Sequence, residues 1–398
     1  MLLSIIIVNY NVKYFLEQCL CSVEKALREA GLEFGTGDGS WNAGQGRMPD
    51  SSGNRGAEIF VVDNHSSDGS AEWLPGRFPD IQFILNTDNK GFGAANNQAL
   101  ARAKGKYILF LNPDTILPED ALSVCLCFMG SHEEAGAVGL RMIDGRGRFL
   151  KESRRGYPSP WVALCKMTGL TALFPRSAVF AKYYLGQLPP SEDHPAPILP
   201  GAFMFVRAAA LDKTGGFDER FFLYAEDIDL SYRIEQAGYR NYYLAGATIL
   251  HFKGESTKKD ARYIRLFYKA MSQFRRKHAR GIGSRLFNVL LEGAIWGRAG
   301  IQVLENAFRR GDRRTSDIGG IEGSDNGGEE GITGAEGVTG AEKITGAGEE
   351  IIFNEGPDLS FKKIIESMRE DPRRSYKIHA AGSSAAVGSH SYKIFRSS

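Results

Sequence analysis

The sequence predicts an α/β fold with a mainly parallel, Rossmann-like sheet, and three observations carry that prediction. Short apolar runs alternate with helical periodicity through the first half of the chain, as in successive βαβ units. Each apolar run ends in polar residues. Leu, Ile, Val and Phe are plentiful in the first 250 of the 398 residues and scarce after 315, so the early part must supply the core.

Ser4 to Asn9 reads as the first strand, buried rather than a signal peptide, because "MLLSIIIVNYN" lacks a basic start and a small-residue cleavage site. Tyr14 to Arg28 follows as a helix with Phe15, Leu16, Cys19, Leu20, Val23 and Leu27 on one face. Residues 31–57 are Gly-, Ser- and Asn-rich and read as a surface insertion. Further strands are expected at Glu58 to Asp63, Gln82 to Asn86 and Lys106 to Asn112, and Pro118 should occupy the first position of a helix over Glu119 to Met129.

Net charge is only +2, but it hides opposed blocks: 16 Lys or Arg against 5 acids from His251 to Arg314, then 9 acids and one Lys from Asp317 to Glu350. Three imperfect copies of a Gly-rich hexapeptide, from Ile332 to Glu349, are too few for a β-helix and read as a disordered acidic linker. Beyond it, "EIIFNEG", "LSFKKIIESMRE" and "YKIHAAG" predict a strand, a helix and a strand. The expected organisation is a main domain over 1–257, a basic amphipathic helical region over 258–314, the linker over 315–350 and a small α/β tail over 351–398. The five cysteines form two C-x-C pairs and a single, with no His cluster, and read as reduced, buried thiols rather than a zinc or redox site. No stretch offers 18 uninterrupted apolar residues.

In open α/β sheets ligands sit at the carboxyl ends of strands, so Asn9, Asp63, Asn64, Asn112 and Asp114 should converge although scattered in sequence. A strand-end Asp63 can accept from a nucleoside, or simply cap the turn that follows. In "NTDNKGFGAANN", Lys90 offers charge to phosphate and Gly91 permits close backbone approach. Asn112 and Asp114, in "LFLNPDTIL", suit a hard divalent cation on a diphosphate, and equally a common turn. "FFLYAEDIDL" crowds Glu226, Asp227 and Asp229 at a helix start, where the dipole alone would favour acids.

Taken in order, "SIIIVNYN", "VVDNHSSDGS", "NKGFGAANNQAL", "LFLNPDTIL", the long "PGAFMFV…YAEDIDLSYRIEQAGY" and "ILHFKGEST" resemble the family 2 glycosyltransferases, especially their rhamnosyltransferase-like branch, from residue 2 to about 257. The resemblance implies a GT-A fold and an inverting transfer of a sugar from a nucleotide-diphosphate-sugar, with Mg²⁺ or Mn²⁺. It implies that Asn9 and Asp63 hold the nucleoside and that Asp114 is the last acid of the metal-binding motif; by their own chemistry and place Asn64, Lys90, Gly91 and Asn112 are expected to join them in donor binding, with Gly201 and Ala202 a tight approach under the donor sugar. It also implies Asp227 as catalytic base beside Glu226. Asn112 stands where the family's D-x-D motif has its first acid. Asp114 and His251 are the expected metal ligands, a structural hydrogen-bonder being the other reading of a strand-end His251, and Arg154 and Arg155 are the expected acceptor contacts or else a solvated surface pair.

The basic stretch around residues 275–314 encloses an interrupted apolar run and suits an anionic membrane surface. The expectation is therefore a cytoplasmic enzyme, peripheral on the inner face of the cytoplasmic membrane, extending a cell-surface glycan or lipid-linked acceptor and taking no nucleic acid. A non-catalytic GT-A-like module binding a nucleotide-sugar or glycan is the alternative.

Overall fold

The computed structural model describes residues 1–35, 55–254, 261–278, 341–344, 350–389 and 391–395. Two compact units emerge, one comprising 1–256 with 339–395, the other 257–338 with 396–398. In the second unit the described element is the helix α9 (Ala261–His278). The interior of the Gly-rich insertion, the basic stretch beyond 278 and most of the acidic repeat lie outside the described residues.

The first unit has the Rossmann-like α/β architecture expected. Strands β1 (Leu3–Asn9), β2 (Ala57–Asp63), β3 (Gln82–Leu85) and β4 (Tyr107–Leu111) are joined through helices α1 (Lys13–Glu29), α2 (Ser70–Arg77) and α3 (Phe92–Leu100). After β4 come β5 (Thr115–Ile116), α4 (Ala121–Ser131), β6 (Ala135–Ile143), α5 (Pro160–Met167), α6 (Leu170–Leu173) and β7 (His194–Pro195). They are followed by β8 (Phe203–Arg207), α7 (Ala208–Thr214), α8 (Glu226–Gln236) and β9 (Arg240–His251). Among the described residues the sheet runs β3-β2-β1-β4-β8-β6-β9-β5, with β7 paired to β9. The β1–β4 and β1–β2 pairings are parallel, and β8 returns antiparallel to β4.

Alternation along β1 divides two cores. Ile5 and Ile7 join the α1 and α4 side, while Ile6 and Val8 join Ala95, Ala99, Leu211 and Leu230 on the other. Elements lie within a few residues of their expected bounds. The helix after β5 starts at Ala121 rather than at Glu119, because Pro118 to Asp120 form a turn in which Ala121 N–H donates to the Pro118 carbonyl. Cys19, Cys21, Cys125 and Cys165 are buried, but Cys127 is exposed, two residues beyond Cys125 and so on another face of α4.

The C-terminal region forms a second sheet of β10 (Ala341–Ile344), β11 (Glu350–Asn354), β12 (Ser375–His379), β13 (Ala385–Gly388) and β14 (Ser391–Ile394), with helix α10 (Phe361–Glu370). Part of the expected acidic linker is thus a strand, β10 pairing antiparallel with β11. This sheet packs on the polar side of α1. Gln18 donates to the Ala385 carbonyl and accepts from Ala380 N–H, both at 2.7 Å, and Glu17 accepts from Ser384 Oγ at 2.6 Å. Glu119 receives the Phe361 and Lys362 N–H groups at the start of α10, and Phe361, Ile364, Ile365 and Met368 enter the main core. A helix that reads as one-faced in sequence is therefore buried nearly all round.

Candidate active site

The sheet reverses its winding between β1 and β4, since β2 and β3 lie on one side of β1 and β4 on the other. That is the place where a doubly wound sheet opens a crevice at its carboxyl edge. Asn9 and Asp63 stand in register there. Asn9 Nδ2 donates to Asp63 Oδ2 at 2.8 Å, and Asp63 Oδ1 accepts from Ser66 N–H at 2.8 Å, so both side chains are fixed before any ligand arrives.

Asn64 holds the next loop. Its Oδ1 accepts from Lys90 N–H (3.0 Å) and Asn86 Nδ2 (3.1 Å), and its Nδ2 donates to Asn89 Oδ1 (2.9 Å). Asn89, which the sequence reading passed over, also accepts from Gly91 N–H, and its position two before a glycine was the available signal for such an Asx turn. Gly91 has φ +84°, and an added Cβ would lie 2.6 Å from the Phe222 carbonyl oxygen. The close approach its bare backbone permits is to the segment that leads into α8. Lys90 Nζ pairs with Asp88 at 3.0 Å on the surface.

Asn112 continues β4, its N–H donating to the Ala202 carbonyl at 2.9 Å. Three residues on, β5 pairs with the end of β9, Thr115 opposite His251, and this brings Asp114 to His251, Oδ1 to Nε2 3.3 Å. The pair is close in charge but not aligned as a hydrogen bond, for Asp114 Oδ1 is buried without a hydrogen-bond partner; the other ring nitrogen, His251 Nδ1, is likewise buried and unpartnered. Burial works to raise the Asp114 carboxyl, but the His251 charge and nearby donors outweigh it and hold the group below its usual value.

The three acids at the start of α8 diverge. Asp229 turns inward to Arg233 at 2.7 Å, and Arg233 in turn donates to the carbonyls of Thr214 and Gly216. Asp227 Oδ2 accepts from Arg155 at 2.5 Å and from Gly201 N–H at 3.1 Å, while its Oδ1 accepts from Ile228 N–H at 2.7 Å. Burial alone would lower the Arg155 guanidinium; the Asp227 charge and Tyr183 outweigh it and raise it. Glu226 is buried, its Oε2 has no hydrogen-bond partner, and burial followed by the Asp227 charge pushes its carboxyl up to about 8. Immediately before them Tyr224 and Ala225 hold φ of 71° and 66°. Such left-handed non-glycine backbone costs on the order of 1–3 kcal/mol per residue and concentrates at functional sites. Nothing in the local sequence announces it.

Gly201 and Ala202 therefore link the β4 edge to the acid pair, one bonded to Asp227 and the other to Asn112. Arg154 and Arg155 part company. The Arg154 guanidinium is buried on the Pro189 and Leu188 carbonyls and His194, stacked over Tyr243, so it organises the 188–194 loop, while Arg155 reaches Asp227.

Residues 4–215 match the family described as "Glycosyl transferase family 2". The "N-acetylglucosaminyl-diphospho-decaprenol L-rhamnosyltransferase" of Mycobacterium tuberculosis is 28% identical over 273 residues, covering 65% of this chain and 87% of the relative. "Rhamnosyltransferase WbbL" of Escherichia coli is 29% identical over 171 residues, covering 41% of this chain and 61% of the relative. Among solved structures, the mannosyltransferase PcManGT from Pyrobaculum calidifontis, in complex with GDP-Man and Mn²⁺, aligns with a TM-score of 0.46 at 16% identity, covering 77% of this chain and 74% of that one.

Proposed function

The chain belongs to glycosyl transferase family 2 and acts on nucleotide-sugar donors, and from that premise we propose that it is an inverting transferase moving a sugar, dTDP-rhamnose being the first donor to test, onto a lipid-linked or cell-surface glycan acceptor. Transfer of rhamnose is supported by the names of the mycobacterial and Escherichia coli relatives, and a lipid-linked acceptor by that of the mycobacterial one. One observation carries the site: Asn9 Oδ1, Asp114 Oδ1, Glu226 Oε2 and His251 Nδ1 are all buried without hydrogen-bond partners. Their residues lie at the carboxyl ends of β1, β4 and β9 and at the start of α8. Unpaired buried polar atoms are costly and rare, so several around one crevice mark where a polar ligand supplies the missing partners.

In this reading Asn9, Asp63 and Asn64 hold the nucleoside side of the donor. Asn112, Asp114, Gly201 and Ala202 line its sugar-diphosphate side. Lys90 exchanges its exposed Asp88 pairing, worth little in water, for the diphosphate. Asp114 and His251 would hold a Mg²⁺ or Mn²⁺ ion, for His251 Nε2 lies 3.3 Å from Asp114 Oδ1, a spacing that two ligands of one ion can have, and that oxygen is buried without a hydrogen-bond partner. Among the described residues no group of three ligating side chains exists, so donor oxygens and water would complete the shell. When bound, the cation would neutralise charge on the leaving diphosphate.

The acid pair divides its labour by ionisation. The negative Asp227 is part of what keeps Glu226 protonated near neutral pH, so Glu226 donates a hydrogen bond while Asp227 accepts a proton. The acceptor hydroxyl gives its proton to Asp227, its oxygen forms the new bond to the anomeric carbon, and the carbon–oxygen bond to the diphosphate breaks, the electron pair leaving with the nucleotide. Arg155 and Gly201 N–H hold the base in line for that displacement. The acceptor class puts the enzyme at the inner face of a cytoplasmic membrane. Among the described residues no helix is long and apolar enough to cross one. Turnover assays across dTDP-, UDP- and GDP-sugars, with the product's anomeric configuration read by NMR, test the proposal. Donor binding without turnover on any acceptor would favour the binding-module alternative, and a retained configuration would overturn the single displacement.

A further inference from the structure

Between Arg155 and Ile198, whose backbones pair with each other, the chain leaves the sheet for an excursion that contains α5 and α6. Helix α5 is capped by Ser159 and buries Val162 and Cys165, yet on its other side Trp161 and Leu164 are 43% and 46% exposed. Leu173 and Phe174, at the end of α6, are 70% and 45% exposed, and Val179 is 55% exposed. The aromatic members of this group meet at Phe180. Trp161 Nε1 donates to the Val179 carbonyl, and the Trp161 and Phe174 rings both lie against Phe180, at 6.2 and 5.3 Å. Large apolar side chains scattered singly need no explanation, but a contiguous group of this kind marks a surface used for contact.

We propose that the α5–α6 excursion is the surface by which the enzyme enters the interface of an anionic bilayer. Three observations select that occupant. From Tyr157 to Leu188 the sequence has three basic residues and no acidic one, and Arg176 and Lys182 are exposed, so the excursion carries charge of one sign, as an anionic lipid surface requires. Trp and Phe beside Leu and Val suit the boundary between headgroups and acyl chains. The excursion is tied at its base to the acid pair. Gly156 N–H donates to the Tyr183 carbonyl, Tyr157 hydroxyl to Glu235 of α8, and Arg155 to Asp227. Insertion of the patch would therefore set Asp227 at the height where a lipid-anchored acceptor presents its sugar. The inference rests on the lipid-linked acceptor proposed above, and it places the contact within the first unit rather than on the basic stretch after residue 275.

The test uses the full chain and its Leu173→Asp/Val179→Asp variant, both substitutions at exposed positions, in co-sedimentation with vesicles of phosphatidylglycerol and phosphatidylcholine. The expected result is binding of the wild type and about tenfold or greater weakening in the variant, since two apolar side chains no longer leave water. Donor affinity and turnover on a short water-soluble acceptor should be unchanged, and turnover on a long-chain acceptor in vesicles should fall. Equal vesicle binding by the two proteins overturns the proposal, as does wild type that ignores vesicles or self-associates through this face in a way the variant abolishes. Loss of donor turnover in the wild type itself would count against the transferase reading, while the vesicle comparison would still decide the surface.

Discussion

Replacing Glu226 by Gln should stabilise the protein, and increasingly so as pH rises. In the folded chain its carboxyl titrates at about 8, against an ordinary value of 4.5, because it is buried beside Asp227. Between those two values the folded state binds a proton that the unfolded state has released. Stability therefore falls as pH rises from 4.5 through 8, and it is lowest on the plateau above. At about 1.4 kcal/mol per unit, the shift corresponds to a penalty on the order of 5 kcal/mol when fully expressed, an upper bound because Asp227 shares the titration. Gln keeps the shape and the donor of the protonated acid and carries no charge. Urea unfolding of wild type and Glu226→Gln at pH 5 and pH 9 measures the difference. The midpoints should nearly coincide at pH 5 and separate at pH 9, the variant being the more stable. Parallel behaviour at both pH values would show that Glu226 ionises as freely as in water, and would remove the argument that the pair divides donor and base.

Asp227→Asn should reduce turnover about 100-fold or more with donor affinity by calorimetry little changed, as loss of a general base requires; near-normal turnover in a folded variant would reassign the base. Asp114→Ala, or chelation of divalent ions, should weaken donor binding, and identical affinity with and without metal would leave neutralisation of the diphosphate to cationic side chains. Gln18→Ala should cost roughly 1–3 kcal/mol in unfolding experiments, because it strands the buried Ala380 N–H and Ala385 carbonyl of the C-terminal sheet. An unchanged midpoint would mean that this sheet does not depend on α1.

What the sequence determined by itself is the set of segments whose local physics is strong. β1, β2 and β4 carry apolar runs that lead into polar residues, and those polar residues fall at one sheet edge because parallel strands share a direction. The acid trio was legible as a helix start, and Asn9 and Asp63 as strand ends. Tertiary structure decided which of these groups meet. Asp114 comes beside His251 only through the two-residue pairing of β5 with β9, and Arg155 reaches Asp227 across 72 positions. The separate fates of Asp227 and Asp229, two residues apart, depend on Gly201 and Arg155 lying on one side of α8 and the Thr214 carbonyl on the other. Likewise Glu17 and Gln18 read as the wet face of α1, and a sheet more than 360 positions away covers them. Periodicity records how a segment divides apolar from polar. It cannot say which distant backbone will satisfy the polar side, because those partners are fixed by strand register and chain crossings rather than by any residue's neighbours.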